Sequence, residues 1–193
     1  MESLAVDGFS RGSLEKVEHL LREAKKYKEE GNAWYLSKDY RKAIRCYHQS
    51  LLYIKSITQG QDTVGTLLGV NQKESLPADV QQTISKLSRD CHNNLAACIM
   101  NKDDPDYTKV ISYCDLVIDD QPTNAKAHFR KGVSLYNLKD YDTALTSFLK
   151  AKDSAGAPDS QINKYINMCH QANKVETQKM KATYQNMFKQ MAV

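Results

Sequence analysis

Glycine and proline are scarce in this chain, with 8 and 4 among 193 residues. So little turn-forming material argues against an all-β fold, which needs frequent punctuation. No apolar run approaches the about 20 residues that a membrane-spanning helix requires, so no membrane partner is expected. Met1 to Ser10 lacks a basic segment followed by an apolar core, and no secretory signal is read there. The five cysteines, at 46, 91, 98, 114 and 169, show no CxxC spacing. An odd, unpatterned set in a chain without a signal indicates reduced thiols and a cytoplasmic location.

Chemistry-bearing constellations are missing as well. Cys91 and Cys98 stand seven apart with no further ligands spaced for zinc, so they read as packing residues and no metal is expected. His19, His48, His128 and His170 form no HExxH or other catalytic spacing. There is no phosphate-cradling glycine loop and no nucleophile elbow. No catalytic residue, no cofactor and no enzymatic activity are expected. Charge excludes a further class: 27 Lys+Arg less 23 Asp+Glu gives +4, too small and too evenly spread to announce nucleic-acid binding. What remains is an all-α, soluble, single domain.

What is present is repetition. Three stretches align, starting at Gly31, Ala96 and Gly132. Each has a small residue, then a tyrosine (Tyr40, Tyr107, Tyr141), then apolar residues at helical spacing. Three residues past each tyrosine come Ala43, Val110 and Ala144; four further, Tyr47, Cys114 and Phe148; three further again, Ser50, Val117 and Ala151. The middle copy carries two extra residues, at Asp104-Pro105.

This pattern resembles the tetratricopeptide repeat (TPR), a pair of antiparallel helices in which small residues permit close approach and an aromatic fills the gap. The resemblance implies a helical array of three helix-hairpin repeats plus a long C-terminal capping helix. Repeat one is placed at about 24–57, repeat two at about 77–121, repeat three at about 124–157 and the last helix at about 159–191. All lie in one domain, 13–193, after a disordered segment, 1–12. Residues 58–75, with three glycines and many polar residues, read as an exposed loop. Leu51, Leu52 and Ile54 extend the second helix of repeat one, and Pro77 suits the start of the next helix. Ser13 and Asp159 are candidate helix caps, and Ile162, Tyr165, Ile166, Cys169 and Val175 share one face of the last helix. Ser50 and Val110 depart from the alanine usual at their positions.

The concave groove of such an array is lined by the first helix of each repeat. Lys28 and Asn32 are spaced i, i+4 and share a helical face, as do Lys126 and Arg130. With Asn94 they make three cations and two amides containing no acid. Such a lining favours a carboxylate-rich ligand. The set resembles the carboxylate clamp of chaperone-binding TPR domains: Lys28-Glu29-Glu30-Gly31-Asn32, Asn94-Leu95-Ala96 and Lys126-Ala127-His128-Phe129-Arg130 fill its motifs. The resemblance implies a co-chaperone or adaptor. Its peptide-binding residues would be Lys28, Asn32, Asn94, Lys126, Phe129 and Arg130, holding the Glu-Glu-Val-Asp tail of heat-shock protein 90 or heat-shock protein 70. A scaffold for another acidic or C-terminal peptide is the alternative. The closing run Tyr184-Gln185-Asn186-Met187-Phe188 and the insertion after repeat one resemble the TPR domain of large immunophilins. Asn-Asn-Leu-Ala-Ala-Cys (93–98) and Asp-Tyr-Asp (140–142) are similar to the tetratricopeptide repeat protein 9 family.

The last helix offers a second partner. Met180, Tyr184, Met187, Phe188 and Met191 recur on one face, flanked by Lys174, Lys179, Lys181 and Lys189. A basic amphipathic helix of this kind suits calmodulin, and a helix that simply packs on the array or protrudes beyond it is the simpler expectation.

Overall fold

A computed structural model describes residues 11–68 and 76–191. These form seven helices and, among the described residues, no strand. The residues expected to make one domain group into two compact units, Met1–Asp104 and Pro105–Val193. The division falls within repeat two.

The first unit contains α1 (Arg11–Leu36), α2 (Tyr40–Leu68) and α3 (Ala78–Met100). α1 ends in a tight reversal: Lys38 adopts a left-handed φ of 62°, and the Asp39 N–H donates back to the Trp34 carbonyl at 3.0 Å. This closes the last turn as a Schellman motif does. Asp39 then accepts from the Lys42 N–H at 3.1 Å, capping α2. The two helices approach closely at Gly31, where a Cβ would lie 2.7 Å from the Tyr47 ring. Only glycine fits. Farther along, Val17, Leu21 and Ala24 of α1 pack with Ile54 and Ile57 of α2, and with Leu76, Ile84 and Leu87. This cluster explains why both helices outrun the repeat length. Ser13 therefore lies inside α1 and does not precede it.

The loop expected over 58–75 is helical over its first part: α2 continues to Leu68. Gly60 and Gly65 are weak helix formers, yet each costs a helix only about 1 kcal/mol. With Ile57 buried, elongation from an anchored helix is cheap compared with nucleation. Residues 69–75 lie outside the described residues, as do 1–10 of the segment expected to be disordered; Arg11 and Gly12 are helical.

The second unit contains α4 (Tyr107–Asp120), α5 (Ala125–Asn137), α6 (Tyr141–Ser154) and α7 (Ser160–Met191). Side chains of Asp106, Asn124 and Asp140 cap α4, α5 and α6, accepting from Lys109, Ala127 and Thr143 N–H groups. Asp159 accepts from the Gln161 and Ile162 N–H groups at 2.7 and 3.4 Å, so it caps α7. α5 and α6 meet at Gly132, where a Cβ would lie 2.7 Å from the Phe148 ring. Tyr165 of α7 stacks on Phe148, centroids 5.1 Å apart, and also meets Phe129 and Tyr136 edge-on. Ile162 and Cys169 are buried on the same face. Val175, expected with them, is 48% exposed. Packing of α7 ends near Asn173, whose amide donates to Asp142 at 2.7 Å, and every residue from Lys174 to Lys189 is exposed.

Candidate functional site

Three of the six predicted site residues come together in the first unit. Lys28 and Asn32 project one turn apart from α1, and Asn94 projects from α3. Asn94 Nδ2 donates to Asn32 Oδ1 at 3.0 Å. The same oxygen accepts from the Tyr47 hydroxyl at 2.8 Å. A carboxamide oxygen has two lone pairs, and both are engaged. Among the described residues the Asn32 amino group makes no hydrogen bond, and no buried side-chain nitrogen or oxygen lacks a partner. It is therefore open to solvent as a donor. Burial pushes the Tyr47 phenol well above its ordinary pKa, which keeps the hydroxyl protonated.

The five-residue set contains no acid, yet Lys28 has one beside it. Its Nζ lies 3.9 Å from Asp90 Oδ2 on α3, and the two side chains are 24% and 45% exposed. Such a pair contributes little to stability, and an incoming carboxylate competes with Asp90 for the ammonium.

The other three predicted residues stand on α5, in the second unit. Lys126 is exposed, while Phe129 and Arg130 are half-buried. Lys126 and Arg130 sit one turn apart on α5, a helix that contains no acidic residue. Arg130 is near enough to the Cys114 thiol to oppose, in part, the burial that pushes this thiol up to about 12. The adjacent Lys131 is committed to Asp115, 2.6 Å away. Phe129 is largely a packing residue, its ring 5.8 Å from Phe148 and 5.7 Å from Tyr165. His128 is buried against the Pro122 carbonyl at 2.8 Å, a structural use.

Sequence reasoning missed Tyr47 and Asp90. The repeat pattern gives Tyr47 only the role of the aromatic that fills the gap between neighbouring units. The available signal was a pairing: Tyr47 goes with polar Asn32, whereas Phe148 goes with Val133 at the same spacing. Asp90 gave no signal, because nothing in the repeat pattern assigns its position a role.

No family model matches the chain. A protein-level relative does: it is 33% identical over 173 residues to tetratricopeptide repeat protein 9C of Xenopus tropicalis, covering 89% of this chain and 96% of that protein. The chain belongs to this tetratricopeptide-repeat family. Among solved structures, it is similar to the C-terminal TPR-containing domain of a Plasmodium falciparum protein of FK506-binding type. The TM-score there is 0.66 at 21% identity, over 85% of this chain and 95% of that one. It is also similar to the first TPR domain of Spaghetti (RPAP3) bound to the heat-shock protein 90 peptide SRMEEVD. There the TM-score is 0.57 at 15% identity, over 79% and 94% of the two chains. At such identities the structural likeness shows the fold, a TPR helical array. No helix among the described residues is long and apolar enough to cross a membrane.

Proposed function

We propose that this TPR protein is a cytoplasmic co-chaperone or adaptor, a binding module and not an enzyme. Its ligand is the acidic C-terminal Glu-Glu-Val-Asp tail of heat-shock protein 90 or heat-shock protein 70, held by a carboxylate clamp. Lys28, Asn32, Asn94, Lys126 and Arg130 are the donors, with Phe129 beside them. The observation that carries this reading is the orientation of Asn32. Its oxygen is occupied by Tyr47 and Asn94, so the end left to a ligand is the donating one. A terminal aspartate offers two carboxylates within one residue and can accept from several such donors. Capture of a chain-terminal carboxylate is an established mode of peptide recognition. That a similar TPR fold was solved with SRMEEVD bound makes this peptide the natural probe.

Calorimetric titration with SRMEEVD tests the clamp. Charge-assisted hydrogen bonds contribute about 1.5–3 kcal/mol each, so Lys28→Ala or Arg130→Ala is expected to weaken binding about ten- to a hundredfold. Unchanged affinity in both variants would sink the proposal.

A second reading, α7 as a calmodulin target, draws on the exposure of Met180, Tyr184, Met187 and Phe188, at 59, 54, 52 and 70%. A peptide covering 174–193 is then expected to shift calmodulin on a native gel in calcium but not in chelator. No shift removes this reading.

A further inference from the structure

Tyr47 is nearly inaccessible, at 1% exposure, yet its hydroxyl reaches the site through Asn32. Packing alone does not require that oxygen. In repeat three Phe148 occupies the equivalent place, 148 − 47 = 101 residues later. It is fully buried, and its ring sits as close to Gly132 as Tyr47 does to Gly31, a Cβ there falling 2.7 Å away in both cases. The residue following the glycine differs in step: Asn32 in repeat one, Val133 in repeat three. A buried hydroxyl without a partner is costly, so phenylalanine accompanies valine and tyrosine accompanies asparagine.

We propose that the Tyr47 hydroxyl is a positioning group that fixes which end of the Asn32 carboxamide faces the ligand, and so sets the site's preference for a carboxylate. This rests on the clamp reading above. The two ends of a carboxamide are nearly equal in size, and a half-turn about the last side-chain bond exchanges donor for acceptor. With its oxygen outward, Asn32 would present a lone pair to an incoming carboxylate and repel it. Two donors hold the oxygen inward: the Tyr47 hydroxyl at 2.8 Å and Asn94 Nδ2 at 3.0 Å. Each removes part of the freedom to turn. A phenol that stays neutral is suited to this task, since it donates over the whole pH range in which the tail is ionised.

The test is Tyr47→Phe, the residue repeat three already uses, titrated with SRMEEVD in the full chain and in an Asn32→Ala background. A neutral hydrogen bond of about 0.5–1.5 kcal/mol translates to a loss of about three- to tenfold in affinity for Y47F in the native background. In N32A a smaller loss is expected, because the hydroxyl acts chiefly through Asn32, with Asn94 its other side-chain partner. A ligand-free readout accompanies it: the Asn32 side-chain amide signal, assigned by its disappearance in N32A, is expected to move in Y47F. Equal affinity of Y47F and the native chain overturns the inference. So does an equal loss in both backgrounds, an unmoved amide signal, or loss of the cooperative thermal melt. If the native chain itself fails to bind SRMEEVD, the clamp reading falls, and the amide signal alone then decides whether Tyr47 orients Asn32.

Discussion

Repeats one and three are two solutions to the same packing problem, and a constant offset of 101 residues brings them into register. Gly31 matches Gly132, Lys38 matches Lys139, Asp39 matches Asp140, and Ala43 matches Ala144. The correspondence extends to backbone detail. Lys38 and Lys139 both adopt left-handed φ values, 62° and 66°, and the following aspartates cap α2 and α6 at 3.1 and 3.2 Å. Three positions that differ are polar in repeat one and apolar in repeat three: Asn32, Tyr47 and Ser50 against Val133, Phe148 and Ala151. Each of the three makes hydrogen bonds to its neighbours: Asn32 Oδ1 with Tyr47 and Asn94, and Ser50 with the Ala24 carbonyl at 2.7 Å and the Cys91 thiol at 3.3 Å. Repeat three instead turns its aromatic toward another ring, Tyr165 of α7. Shared residues thus specify the hairpin. The residues that differ specify what the hairpin faces: a hydrogen-bonding helix, α3, in one case and an apolar cap in the other.

The largest effect that can break this comparison comes from the shared glycines. Gly31→Ala and Gly132→Ala each put a Cβ 2.7 Å from a ring atom. Tyr47 is pinned through its hydroxyl and Phe148 is held between Gly132 and Tyr165, so neither ring yields easily. Overpacking of this kind costs about 1–3 kcal/mol, more than the about 1 kcal/mol gained from replacing a helical glycine. Both variants are expected to unfold at lower urea concentration than the native chain, with the same ordering of cost. A variant that is stabilised would show that its hairpin has slack, and that the two repeats are not equivalent in packing.

Much of this frame was legible from spacing, because a glycine opposite an aromatic and a small residue three past a tyrosine are direct records of interhelical distance. The α2 extension was less legible. Gly60 and Gly65 punctuate a sequence, but their cost is small once Val17, Leu21, Ile54 and Ile57 have been buried together, and burial between distant segments leaves no local mark. The site was half legible. Residue types at Lys28, Asn32, Asn94, Lys126 and Arg130 suggested a lining of donors, whereas the direction in which Asn32 points depends on Tyr47, fifteen residues away on another helix. Asp90 beside Lys28 was invisible for the same reason: charge counts along one helix do not include the helix packed against it. The division of the array between Asp104 and Pro105 likewise follows from contact density, which no repeat consensus encodes.

The smallest effect is the sharpest test of the register. Ser50→Ala removes a buried hydroxyl but leaves no charged or strongly polar group stranded. Its acceptor, the Ala24 carbonyl, retains its place inside α1, and its donor, the Cys91 thiol, is a weak one. The expected cost is about 0.5–1 kcal/mol. The reverse change, Ala151→Ser, discriminates between two kinds of resemblance. Ala24 plus 101 is Ala125, the first residue of α5. If the repeats match to within a hydrogen-bond length, a serine hydroxyl at 151 finds the Ala125 carbonyl as Ser50 finds that of Ala24, and the variant loses less than about 1 kcal/mol. If they match only in side-chain volume, the hydroxyl is buried without an acceptor, and the loss rises to about 1–3 kcal/mol. Urea titrations of the two variants, compared at equal slope, separate these outcomes. A small loss makes the polarity of repeat one a matter of its neighbour α3 alone. A large loss places part of the difference in the backbone of the hairpin itself.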